Sequence, residues 1–200
     1  FREFGWAYLA SNSWEEHLSH LTEVFKGINE AGLTVKLSKC QIAQDEVQYL
    51  GHKIGRGEIQ PDQIKIQNIQ AFPLPSTKRQ LRAFLGTVGY YQRFIAGYAL
   101  KTAPLTDMLR KTSPTQLKWS SPAEQGFREL REALTGQVTL KVAGRNKLFT
   151  VFTDASDRGI AGILTQSDDH GEERPLLYLS RKPNPKIGRA SCRERVCHEV

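Results

Sequence analysis

The chain has 200 residues, 39% of them apolar and 24% charged, and a formal net charge of +7. That length suits one or two compact domains, and the apolar share is enough for a core. No apolar run reaches the roughly eighteen residues of a spanning helix, and the start, Phe1-Arg2-Glu3-Phe4-Gly5-Trp6, lacks a signal peptide's basic and apolar regions. An intracellular protein, in cytoplasm or nucleus, is expected, and the missing initial Met suggests a piece of something longer.

Trp14, Leu18, Leu21, Phe25 and Ile28 recur at helical spacing. With Ser13 as N-cap, Glu16 three residues on and Gly32 as the stop, they predict an amphipathic helix over 14–31. Leu33 to Leu37 alternates and predicts a strand. Extended runs over 46–54 and 58–60 flank Gly55-Arg56-Gly57 and predict a β-hairpin. Pro61 is expected to open a short helix carrying Ile64, Ile66 and Ile69, and Pro73 and Pro75 to end it. Ser76 or Thr77 caps a helix reaching Phe94, with Leu81, Phe84, Leu85 and Val88 on or near one face. Ala103 to Leu109 and a stretch opening at Pro122 predict two more helices, separated by a polar linker at Thr112-Ser113-Pro114. Leu148–Phe152, Ile160–Leu164 and Leu176–Leu179 predict three strands. Turns at Asp157-Arg158-Gly159 and Asp168-Asp169-His170-Gly171 would join them into an antiparallel meander.

Charge is unevenly spread. Residues 1–52 carry 4 basic and 7 acidic side chains, whereas 53–101 carry 8 and 2. A basic stretch of this kind fits either a polyanion partner or a solvated surface. Three cysteines indicate a reducing compartment without a disulfide framework, and Cys40 is expected to be a buried apolar side chain.

Seven short motifs then add up. Ser-Trp-Glu-Glu-His-Leu (13–18), Tyr-Leu-Gly-His (49–52), Ile-Gln-Pro-Asp (59–62), Leu-Arg-Ala-Phe-Leu-Gly (81–86), Gly-Tyr-Tyr-Gln-Arg-Phe-Ile (89–95), Ala-Pro-Leu (103–105) and Thr-Asp-Ala-Ser (153–156) stand in this order. Together they closely resemble the Pol polyproteins of gypsy-type LTR retrotransposons, over residues 7 to 183. The resemblance implies an α+β fold in four parts. Residues 1–75 would be the end of a reverse-transcriptase palm and 76–112 the helical thumb and connection. Residues 113–183 would open an RNase H-like domain with its three-strand meander, and 184–200 would be a non-native tail.

The resemblance also implies roles. Tyr49, Leu50, Gly51 and His52 are similar to the primer grip, where a residue without Cβ lets the backbone approach a sugar-phosphate closely. Lys78, Arg79, Arg82 and Arg93 would contact phosphates of a template–primer duplex, RNA–DNA or DNA. Tyr90 and Tyr91 could stack on bases, although aromatics on a helix more often pack a core. Asp154 matches the first RNase H carboxylate, a Mg²⁺ ligand in the parent enzyme.

Catalytic completeness is not implied. The polymerase aspartate pair would fall near Gly5 and Trp6, whose side chains offer no carboxylate for Mg²⁺. The later RNase H carboxylates would lie beyond Lys182-Pro183. There the chain instead reads Ile-Gly-Arg-Ala-Ser-Cys-Arg-Glu-Arg-Val (187–196), which looks like a translated sequencing adapter, so Cys192, Glu194, Cys197 and His198 are assigned no role. Three readings remain open: an incomplete enzyme segment, a non-catalytic nucleic-acid-binding module, or a functionless degenerate copy. Apolar faces left uncovered would favour aggregation.

Overall fold

Ser13 opens the first helix as its capping pattern predicts: its Oγ accepts from the Glu16 amide at 3.1 Å, and α1 spans Trp14–Glu30. This computed structural model describes residues 8–11, 13–110, 116–136, 138–144, 146–156 and 159–182, with the backbone of 198–199. The expectations for Gly5, Trp6, residues 112–114, Asp157, Cys192, Glu194, Cys197 and the His198 side chain fall outside those residues. No residue of α1 is buried, and Trp14, Leu18 and Phe25 of its apolar stripe are exposed.

The strand expected over Leu33–Leu37 does not form. The segment runs without regular structure into a 3₁₀ turn, Leu37–Lys39. Alternation makes a strand only where a neighbour takes up its backbone groups, and none among the described strands does so. Cys40, expected to be buried, is exposed for the same reason; its thiol approaches the Lys36 carbonyl at 3.5 Å.

Three strands follow: β1 (Glu46–Tyr49), β2 (His52–Gly55) and β3 (Glu58–Pro61). The run read as continuous over 46–54 is therefore two strands. Leu50–Gly51 and Arg56–Gly57 join the three as two-residue turns, with φ of 46° and 70° in the first and 51° and 71° in the second. Positive φ at both positions gives a turn whose twist matches the strands it joins. Pro61 ends β3 opposite His52 instead of opening a helix. Asp62 is the cap of α2 (Gln63–Gln70), its carboxylate accepting from the Ile64 amide at 2.8 Å.

Thr77 and Gln80 form a capping box for α3 (Lys78–Tyr90). The helix stops at Tyr90 rather than Phe94, and a 3₁₀ turn, Gln92–Phe94, drives Phe94 into the core. Next, α4 (Tyr98–Asp107) begins earlier than Ala103 and carries Pro104 within it. Pro122 sits in the first turn of α5 (Ser121–Glu132), where its missing N–H costs nothing.

The core gathers Ile66 and Ile69 of α2, Leu81, Phe84 and Val88 of α3, and Phe127 and Leu130 of α5. It therefore crosses both the Pro73–Pro75 segment and the 112–114 linker. Trp119 Nε1 reinforces that joint by donating to the Pro75 carbonyl at 2.9 Å. Leu140, also in the core, belongs to an unanticipated strand, β4 (Leu140–Lys141), which pairs antiparallel with β3 through Ile59.

The second sheet has the order β7-β6-β5-β8. The expected meander is there, as β5 (Thr150–Ser156), β6 (Gly159–Ser167) and β7 (Glu173–Arg181), all antiparallel; β8 (His198–Glu199) lies against Thr150 and Val151. The meander docks on α4 through β7: the Ala99 amide donates to Ser180 Oγ at 2.9 Å, and Lys182 meets Asp107 at 3.2 Å. The architecture is mixed helix and antiparallel sheet, as the sequence implied.

Candidate functional site

The turn Leu50–Gly51 is anchored to the end of α3. Leucine at φ 46° is disfavoured by roughly 1–2 kcal/mol, so something must hold it there. Two tyrosines at the end of α3 do so. Tyr90 donates its hydroxyl to the Leu50 carbonyl, and Tyr91 donates to the Gly51 carbonyl at 2.9 Å. At Gly51 a Cβ would stand 3.3 Å from the Tyr91 hydroxyl oxygen with φ at 70°, so glycine suits both the conformation and the space.

His52 completes the arrangement. Its ring lies 5.3, 5.6 and 5.6 Å from the rings of Tyr90, Tyr91 and Phe94. Nδ1 is 2.9 Å from the Leu50 carbonyl, which can only accept, so Nδ1 carries the proton. Nε2 is buried without a partner among the described residues. Burial, and secondarily the charge of Arg93, lowers the pKa of His52, against the Leu50 hydrogen bond that raises it. The fold thus favours neutral His52. Its contribution to stability is present above the unfolded value near 6.5 and is lost as pH falls through the lowered folded value. The stability gap between wild type and His52→Gln, measured in urea, is expected to shrink from pH 7.5 to 5; a constant gap would contradict this. Burial also pushes the Tyr91 hydroxyl up to about 12, so it remains a donor at any ordinary pH.

The core-packing expectation holds for one of the two tyrosines. Tyr91 is 2% exposed and packs the core, whereas Tyr90 is 53% exposed. Along α3, Arg79, Arg82, Ala83, Gly86, Thr87 and Tyr90 form one exposed face opposite Leu81, Phe84 and Val88. Arg93, just beyond, is exposed with its guanidinium 5.9 Å from the Phe94 ring centroid. Lys78 lies apart from this face: its ammonium donates to the Arg110 carbonyl at 2.8 Å. Tyr49, paired with His52 across the turn, has its ring 5.7 Å from that of Tyr8.

Asp154 sits inside β5, opposite Ala161, and is exposed. Asp168 and Asp169 lie beyond the far end of β6. Asp168 is committed to its own turn, where the Arg174 guanidinium at 2.9 Å and two backbone amides hold its pKa at about 2. Asp169 pairs with Lys147 at 2.6 Å. Among the described residues no three His, Cys, Asp or Glu side chains gather closely enough to hold a metal ion. The residues around Asp154 therefore do not fit a Mg²⁺ site by themselves. No described helix is long and apolar enough to cross a membrane.

The hydroxyl contacts of Tyr90 and Tyr91 with the turn were not visible in the sequence. They join residues 40 positions apart, and only the adjacency of both motifs to basic side chains hinted at a common site.

Comparison with known proteins places these features. Residues 7–54 match the family "Reverse transcriptase (RNA-dependent DNA polymerase)". Residues 119–199 match "RNase H-like domain found in reverse transcriptase", a span that includes the adapter-like 187–196. The Pol polyprotein of transposon 297 from Drosophila melanogaster is 32% identical over 174 residues, 87% of this chain and 16% of that polyprotein. The Gag-Pol polyprotein of avian reticuloendotheliosis virus is 34% identical over 88% of this chain and 15% of its own length. The Tf2-3 polyprotein of Schizosaccharomyces pombe is 29% identical over 86% and 13%. The chain thus spans between about an eighth and a sixth of the length of these relatives. Among solved structures, a foamy viral protease–reverse transcriptase in complex with double-stranded DNA superposes with a TM-score of 0.71 at 25% identity, covering 86% of this chain and 30% of the other. The same viral enzyme with an RNA/DNA hybrid gives 0.71 at 24%, covering 88% and 24%, a likeness of fold. The chain belongs to the reverse transcriptase and RNase H-like Pol polyproteins of retrotransposons and retroviruses.

Proposed function

We propose that this segment binds template–primer duplex, RNA–DNA or DNA, and seats it on the exposed face of α3 with the primer strand held at the Leu50–Gly51 turn. In the polyprotein it would serve RNA-directed DNA synthesis and cleavage of RNA in hybrids. On this reading 1–75 is palm, 76–112 thumb and connection, and 113–183 the RNase H-like part. Asp154 would stand at the position of its first carboxylate, an incomplete Mg²⁺ site in this segment, and the ion is expected of the parent enzyme. On this reading the segment supplies grip and orientation.

One observation carries the reading: the exposed face of α3 is small at its centre and basic at its start. A Cβ at Gly86 would meet nothing within 4 Å, so the protein's own packing does not require glycine there. Yet glycine costs a helix about 1 kcal/mol relative to alanine. A small, bare centre flanked by Arg79 and Arg82 suits close approach of a sugar-phosphate backbone, with the guanidinium groups on the phosphates.

The test separates binding from folding. Gly86→Leu should leave thermal stability unchanged or raised while weakening duplex binding about tenfold or more. Arg79→Ala with Arg82→Ala should lower the slope of log affinity against log salt by about 2. Gly86→Leu protein that binds duplex as tightly as wild type would sink the reading.

A further inference from the structure

The Leu50–Gly51 turn has an unusual distribution of hydrogen-bonding groups. A carbonyl oxygen has two lone pairs, and both carbonyls of this turn have both occupied. Leu50 O accepts from the Tyr90 hydroxyl and from His52 Nδ1 at 2.9 Å. Gly51 O accepts from the Tyr91 hydroxyl at 2.9 Å and from the Asp62 amide at 3.1 Å. The amides of Leu50 and Gly51, in contrast, donate to nothing among the described residues.

We infer that Tyr90 and Tyr91 are positioning residues that turn this loop into a donor-only anion contact, selective for a charged phosphate oxygen of the primer strand. This inference rests on the duplex-binding reading and deepens it. Two adjacent amides with no acceptor among the described residues attract an anion through their partial positive charge. A free carbonyl beside them would repel the same anion, and a loose turn would expose one. The tyrosine hydroxyls prevent both outcomes, because they occupy the carbonyls and tie the turn to the end of α3. They also couple the turn to the helix that carries Arg79 and Arg82, so phosphates of the two regions are met in fixed relation. Neither tyrosine hydroxyl needs to touch the nucleic acid for this.

The experiment uses the whole chain and two primer–template duplexes. One is unmodified; the other carries uncharged methylphosphonate linkages at the last positions of the primer strand. Wild type should prefer the charged primer end by about tenfold, as loss of charge-assisted bonds to two amides implies. Tyr90→Phe, and Tyr90→Phe combined with Tyr91→Phe, should bring that ratio towards one. A merely structural role would lower both affinities alike and leave the ratio standing. Tyr90→Phe decides alone if the double variant does not fold, since Tyr90 is 53% exposed and loses only a hydroxyl. Wild type that binds neither duplex would overturn the duplex-binding reading itself. Wild type that binds both equally, or Tyr90→Phe that keeps the full preference, would overturn the role of the tyrosines alone.

Discussion

Replacing Phe84 with alanine is expected to cost the chain about 3–5 kcal/mol of stability. Phe84 is fully buried, and its ring lies 4.5 Å from Phe127 of α5 and 5.4 Å from Phe72 beyond α2. It is therefore the piece around which α3 and α5 close, and tilted ring pairs at these distances add to the area that it buries. Removing the ring leaves a void walled by helices whose backbones are held elsewhere, which limits how far the site can collapse. The exposed face of α3 depends on the same packing, so duplex binding should fall in step with the folded fraction rather than independently of it. Urea unfolding followed by far-UV circular dichroism measures the effect, and a loss below about 1 kcal/mol would mean that α3 is not anchored as described.

Gly126→Val should be similarly damaging for the opposite reason. A Cβ at Gly126 would stand 2.4 Å from the Lys101 carbonyl and 3.5 Å from Pro104 Cγ. The obstacle is backbone, which cannot rotate aside, so α5 must move away from α4. Overpacking of this kind costs about 1–3 kcal/mol and sometimes more, and the better helix propensity of valine offsets only a few tenths. The displacement matters beyond stability because α4 also carries the meander through Ala99 and Asp107. The melting temperature of Gly126→Val should drop by several degrees, while Gly86→Ala, where a Cβ meets nothing, should not lower it. Equal effects at the two glycines would contradict the close α4–α5 approach.

Local chemistry was legible in the sequence wherever it was sufficient. Ser13 and Thr77 cap helices because each is followed at the right distance by a group that completes the cap. The meander was readable because its strands are consecutive and each finds its partner one turn away. Misreadings arose where structure depends on distant or missing neighbours. Leu33 to Leu37 alternates like a strand, but alternation does not supply a partner. Conversely, Val138 to Val142 carries the same alternation, and there Leu140–Lys141 finds a partner in β3, 81 positions earlier at Ile59↔Leu140. Pro61 reads locally as a helix opener; in the sheet, its place opposite His52 lets Asp62 take the cap. The site followed the same rule. The turn and the basic helix were each readable, but the hydroxyls that join them were not.

The account's central claim is that α3 and the Leu50–Gly51 turn form one duplex-binding surface. Hydrogen exchange of the whole chain, read by mass spectrometry with and without primer–template duplex, tests it most directly. The account predicts that duplex slows exchange at the Leu50 and Gly51 amides and along 78–94, with the α1 segment unchanged. Protection confined to other segments, or none at duplex concentrations that saturate binding, would contradict it.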